Sequence, residues 1–195
     1  MVCHMNPTFG EQDGTLYRRT ADWSSTSEVG YKDQNSSIHL LEAFTELYLV
    51  WPDELLRGRL EELLLIIRDT ITAEEGYMRL FFEADWTPVS FRDSSEEEIR
   101  KHYYLDHVSF GHDVETAFLM LEASHALELK NDTLTLQKGK KMVDHSLRNG
   151  WDNDLGGFYD GGYYFSSEED LQIINANKNR WNRMAGFILE KRRNT

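Results

Sequence analysis

The chain has 195 residues, 40% hydrophobic and 12% aromatic, enough to pack a core and too apolar for global disorder. Its net charge of −13 excludes nucleic acid and an anionic membrane surface as partners, because phosphate binding needs clustered Lys and Arg. The single cysteine, Cys3, excludes an internal disulfide and a cysteine-based zinc site.

Residues 1–30 are rich in Gly, Thr, Ser and Asp and read as loop and short hairpin. A first helix is expected from Ser36 or Ser37, either of which can cap it. It carries Leu40, Leu41, Phe44, Leu47 and Tyr48 at helical spacing and closes at Pro52. A second runs from about Asp53 to Thr70 with Leu55, Leu56, Leu60, Leu63, Leu64 and Ile67 on its buried stripe. Residues 76–83 are short, aromatic and bounded by turn residues, as a strand would be. Asp93 or Ser94 would cap a brief acidic helix through Tyr103. Longer helices follow at about Gly111 to Leu129 and Thr133 to Arg148. Then come an aromatic turn at Trp151 to Tyr159, a helix over 178–192 and a basic tail over 185–195.

The repeating unit is therefore an antiparallel helix pair followed by an aromatic, glycine-containing hairpin, twice over with pieces of a third. Such pairs stack sideways into solenoids or α/α toroids. No apolar run reaches the ~18 residues of a membrane span, and the N-terminus lacks the apolar stretch of a signal peptide, so the expected compartment is the cytoplasm.

Chemistry concentrates in a repeated pattern. His39 and Glu42, and again His112 and Glu115, stand three apart at the start of a helix, sharing one face. A carboxylate so placed orients or tunes an imidazole, and the helix N-terminus aims N–H groups at an electron-rich ligand. The competing use is structural, since Glu42 at the third helical position would close a capping box. Metal ligation is not expected: the seven histidines form no standard ligand spacing, and His102, His107 and His112 stand five apart, which is poor for one helix face. His125 and His145 read as structural mid-helix residues. A hydrolase carboxylate pair is permitted by 34 acidic residues, though that count selects nothing. Trp86, Trp151, Tyr159, Tyr163 and Trp181 are candidates to stack on a sugar, or simply to pack.

Two segments carry a family resemblance. Lys32-Asp33-Gln34-Asn35-Ser36-Ser37-Ile38-His39-Leu40-Leu41-Glu42-Ala43-Phe44 resembles the Asn-x-x-x-His-Leu-Leu-Glu-Ala segment of the N-acylglucosamine 2-epimerase and cellobiose 2-epimerase family. Ser109-Phe110-Gly111-His112-Asp113-Val114-Glu115-Thr116 resembles its Ser-Tyr-Gly-His-Asp-Ile-Glu-Thr segment. Lys178-Asn179-Arg180-Trp181 is similar to its Lys-x-Trp-Trp element. The resemblance implies an all-α fold, an incomplete (α/α)6 barrel of antiparallel helix pairs with short β-hairpin connections, filling residues 1–195 as one partial domain.

It also implies roles. His112 would move the proton at sugar C2 with Glu115 as partner, while His39, Asn35 and Trp181 would contact the sugar. No metal and no cofactor is implied. The partners would be the sugar and, through open barrel faces, a second copy of the chain. The family's second catalytic histidine would fall beyond Thr195, and Arg183-Met184-Ala185 replaces the family's Gln-Ala-Glu, so weak or absent activity is the expectation for this chain alone. Aldose–ketose isomerisation and a non-catalytic sugar-binding remnant stand as the alternatives, with a glycoside hydrolase or lyase on a similar barrel behind them.

Overall fold

Asp33, rather than Ser36 or Ser37, starts the first helix in the computed structural model, which describes residues 32–165 and 171–177. Strand β1 (Lys32–Asp33) leads directly into helix α1 (Gln34–Val50). The strand holds Asp33 extended, so its carboxylate accepts the Ser36 N–H at 2.7 Å and the Ser36 hydroxyl at 2.9 Å. Ser37 instead donates its hydroxyl to the Asp33 carbonyl at 2.8 Å. With the cap at Asp33, Glu42 lies far past the third helical position, which removes the capping-box explanation for it. Asp33→Ala should destabilise the chain by about 1 kcal/mol, the usual worth of such a cap, read as a shift in the urea midpoint. An unchanged midpoint would mean that the β1 pairing alone sets the helix start.

Helix α2 (Glu54–Ile66) is capped by Asp53, whose carboxylate accepts from Leu55 at 2.9 Å and Leu56 at 3.1 Å. Its last turn widens over Ile67–Ile71, where the Thr72 N–H reaches back to the Ile67 carbonyl at 3.0 Å. Such a π turn advances the helix face by one residue, and Ile67 and Ile71 are both fully buried by it.

The strand expected over 76–83 shrinks to β2 (Phe81–Phe82), antiparallel to β1 with Asp33 opposite Phe81 and Lys32 opposite Phe82. The preceding residues are used differently. Thr72 pairs with Met78 across a tight turn at Gly76, whose φ of 101° suits glycine. Helix α3 (Glu96–Lys101) is capped by Ser95, not Asp93 or Ser94, because the Ser94 N–H closes a turn onto Phe91 at 2.8 Å while Ser95 is extended and accepts from Glu98.

Helices α4 (Phe110–Ala126) and α5 (Thr133–Asn149) form the second antiparallel pair. α1 packs on both α2 and α4, and α4 on α5. One core joins them, with Ile38 and Leu41 from α1, Leu63 and Leu64 from α2, Met120 from α4 and Met142 from α5. A second core of Val108, Phe110, Val114 and Phe158 sits under the start of α4. Gly150 closes α5 against it, where a Cβ would lie 2.3 Å from the Phe110 ring. The hairpin β3 (Gly161–Tyr163) and β4 (Gln172–Asn175) is antiparallel, and Gly162 exchanges both main-chain hydrogen bonds with Val108, at 2.9 and 3.0 Å. The second hairpin is thereby fastened just ahead of α4. Two helix pairs, each followed by a short aromatic hairpin segment, match the expected repeat. The lead-in over 1–30, the helix over 178–192 with Trp181, and the tail lie outside the described residues.

Among the described residues, no helix is long and apolar enough to cross a membrane. Several large apolar side chains are exposed at the α1–α2 turn, among them Leu49, Val50, Trp51 and Leu55; Leu55 thus leaves the expected buried stripe, because it stands in the first turn of α2 beside the Asp53 cap.

Candidate active site

The two His-x-x-Glu pairs meet across the α1–α4 contact. His39 Nδ1 and Glu42 Oε2 are 3.1 Å apart, both on exposed side chains. Glu115 faces this pair from α4. Burial pushes its carboxyl above the usual range, the His39 charge opposes that shift, and the Glu42 charge adds to it. Its Oε2 is buried with no hydrogen-bond partner among the described residues. His112 Nδ1 is 3.3 Å from Ser109 Oγ. Burial lowers the His112 pKa, and the nearby His39 lowers it further. The pattern thus becomes one cluster, with the His39 of one motif beside the His112 and Glu115 of the other.

The two motifs are not equivalently placed. His39 is the sixth residue of α1 and His112 the third of α4, so only His112 lies in a first turn. Asn35 is exposed one turn before His39, on the same face of α1.

A third imidazole, which spacing alone did not single out, joins them. His107 feels the charge of His112, and burial lowers its pKa to about 4. Its Nδ1 lies 2.8 Å from the Tyr103 carbonyl, which makes Nδ1 the protonated nitrogen. The ring stacks on Tyr103 with centroids 4.3 Å apart. Gly161 of β3 makes the room, since a Cβ there would lie 2.9 Å from His107 Cδ2 and 2.3 Å from Tyr103 Oη. Five-residue spacing is indeed no helical face. The ring arrives from the loop before α4, and its only forerunner in the sequence is the glycine opposite it.

Among the described residues, the other aromatic candidates make packing and hydrogen-bond contacts. Trp86, at φ 70°, lies edge-on to Phe82 with the Lys32 ammonium 4.2 Å above its ring. Trp151 meets Phe158 edge-on, Tyr159 packs on the second core, and the Tyr163 hydroxyl donates to Asp106 at 2.7 Å. His145 is buried and bonds Tyr164 Oη through Nε2 at 2.7 Å, as a structural residue would. His125 is corrected: it is exposed in the last turn of α4, because the helix ends at Ala126 rather than near Leu129. Among the described residues, no three His, Cys, Asp or Glu side chains are gathered as a metal ion would require.

A protein-family model described as N-acylglucosamine 2-epimerase matches residues 4–184. The chain belongs to the N-acylglucosamine 2-epimerase family. Among curated relatives, the cellobiose 2-epimerase of Bacteroides fragilis is 25% identical over 160 residues, covering 77% of this chain and 37% of the relative. That of Ruminococcus albus is 26% identical, covering 89% and 47%. Among solved structures, the cellobiose 2-epimerase from Bacillus thermoamylovorans superposes with a TM-score of 0.61 at 22% identity, covering 84% of this chain and 40% of that one. A D-mannose isomerase superposes at 0.65 and 19% identity, covering 87% and 41%. The chain spans less than half the length of these relatives. Its helix pairs are a sector of the (α/α)6 barrel of the 2-epimerases, and the family is one of carbohydrate epimerases.

Proposed function

We propose that the cluster at the α1–α4 contact binds an open-chain aldose and moves the proton at its C2. The C2–H bond breaks, its proton passes to His112 Nε2, and its electrons form the C1–C2 double bond of an enediolate. A proton delivered from water to the opposite face of C2 gives the epimer, and His112 releases its own proton to water. Protons leave and return, so the balance requires no redox partner. Ser109 Oγ lies against His112 Nδ1; in the tautomer that donates from Nδ1, the lone pair sits on Nε2, and burial lowers the ring's pKa, as suits a base. Glu115, its carboxyl raised by burial, is the partner of His112. His39 and Asn35 hold the sugar from α1, and the family resemblance adds Trp181. The observation that carries the reading is the convergence of His39, His112 and Glu115 from two sequence motifs 73 residues apart in the chain (112 minus 39).

The test is incubation with N-acetylglucosamine, cellobiose and mannose in deuterated water. Deuterium at C2 of an aldose is the expected result, at the low rate suited to a chain that spans less than half the length of its relatives. A deuterated ketose would move the assignment to aldose–ketose isomerisation, and bond cleavage to hydrolysis. Absence of deuterium from all three sugars would overturn proton transfer at C2 by this chain.

A further inference from the structure

The segment between α2 and α3 brings no titratable group to the cluster, yet it touches both helices that do. The Met78 N–H donates to Asp113 Oδ1 at 2.8 Å, and Met78 Sδ accepts from Thr116 Oγ1 at 3.1 Å. Two residues on, the Leu80 carbonyl accepts the Gln34 N–H at 2.9 Å. Phe81 and Phe82 then pair with Asp33 and Lys32. Residues 78–82 therefore splint the first turn of α4 to the first residue of α1. His112 immediately precedes Asp113, and His39 lies five residues after Gln34.

Every link in this path but one is main chain or a thioether contact. The exception is the Asp113 carboxyl, and it is an unusual choice. Asp113 is fully buried, its Oδ2 has no hydrogen-bond partner among the described residues, and burial pushes its carboxyl well above the usual range. Burying such a group carries a desolvation cost. An aliphatic side chain of the same shape would fill the space without that cost, so packing alone does not account for an acid here. What the aliphatic residue lacks is the acceptor for Met78.

We propose that Asp113 is a positioning residue, which sets His112 of α4 against His39 of α1 through its bond to Met78 and the 78–82 splint. The proposal rests on reading those histidines as the sugar site, but its physical claim does not depend on turnover. The groups that face His112 and would respond are His39 from α1 and His107 from the loop before α4. Glu115 on its own helix faces Glu42 and His39 in turn.

The test compares the full chain with Asp113→Asn, which keeps an acceptor oxygen, and Asp113→Leu, which keeps the shape and loses it. Val114→Ala is the control, a neighbouring buried position on α4 that faces the second core. Hydrogen exchange at the Met78 amide and NMR titration of the histidine rings are read for each. In Asp113→Leu, Met78 should exchange at least about tenfold faster, as a lost buried hydrogen bond allows. The His112 midpoint should rise by about 0.5 or more as its packing against His39 loosens. Asp113→Asn should stay near wild type in both, and Val114→Ala should leave Met78 protected. The proposal is overturned if Asp113→Leu leaves Met78 protection unchanged, or shifts His112 no more than Val114→Ala does. Should Asp113→Leu not fold, the wild-type chain still decides, because a Met78 amide exchanging as fast as an open loop would also overturn it. A wild-type chain that exchanges no sugar hydrogen, yet shows these ring and amide effects, would reject the catalytic reading and leave the splint standing.

Discussion

His112→Ala is expected to slow exchange of the sugar C2 hydrogen by a factor of about 10² to 10⁴. That is the general worth of a positioned acid–base group, and His112 has the features of one. Its Nδ1 is engaged by Ser109, and its ring is held neutral by burial and by His39. The effect should fall on kcat, with KM little changed, because the base acts on a proton that moves only in the transition state. His39→Ala should instead raise KM more than it lowers kcat, since this exposed ring is assigned to binding. The wild-type rate should rise with pH on a limb below the ordinary histidine value of about 6.5, because the base must be deprotonated and its pKa is lowered. Exchange in His112→Ala within threefold of wild type would remove His112 from the chemistry and leave the cluster as a binding site at most.

Acid should selectively unfold this chain through two imidazoles, the buried His145 and the partly buried His107. Burial lowers the pKa of both His145 and His107 to about 4. In the unfolded chain each binds a proton near the ordinary value of about 6.5. A base whose folded pKa is depressed gives its stabilisation in full above 6.5. That stabilisation drains as pH falls from 6.5 toward 4 and is gone below the folded value. A shift of this size corresponds to at most ~3 kcal/mol for each ring, which matters against a total stability of ~5–15 kcal/mol.

The buried carboxyls of Asp113 and Glu115 act in the opposite sense, since a raised carboxyl pKa lowers stability as pH rises. The clean measurement is therefore a difference. Urea unfolding of wild type and of His145→Gln at several pH values between 4 and 7 cancels the carboxyl contribution common to both. Wild type should lose up to ~3 kcal/mol relative to the variant across that window. A pH-independent difference would show that His145 titrates alike in both states.

The helices were legible where burial follows the 3.6-residue period. The Leu60, Leu63, Leu64, Ile67 stripe placed α2, and the fully buried side of α4 placed the second pair. The start of α1 was misread because its cap lies inside a two-residue strand, and that strand exists only because Phe81 and Phe82 return from fifty residues away. The strand over 76–83 was misread for the same reason in reverse: its first half is spent turning back on Thr72. In the site, the His39 and His112 motifs could be read from spacing. His107 could not, since its place depends on an empty volume at Gly161, and Asp113 could not, since its partner is a backbone amide in a distant turn.

The unequal depth of His39 and His112 in their helices bears on how this protein is to be compared with itself. An internal alignment that matches His39 with His112 and Glu42 with Glu115 superposes α1 on α4 three residues out of step with their N-termini. At 1.5 Å per residue that is an axial error of about 4.5 Å, nearly a full turn. The two helices thus have one registration by motif and another by helix start. Any engineered symmetrisation of the repeat must choose between them. Matching the motifs pairs His39 with His112, whereas matching the helix starts sets His112 against Ser36 and leaves His39 a turn further in.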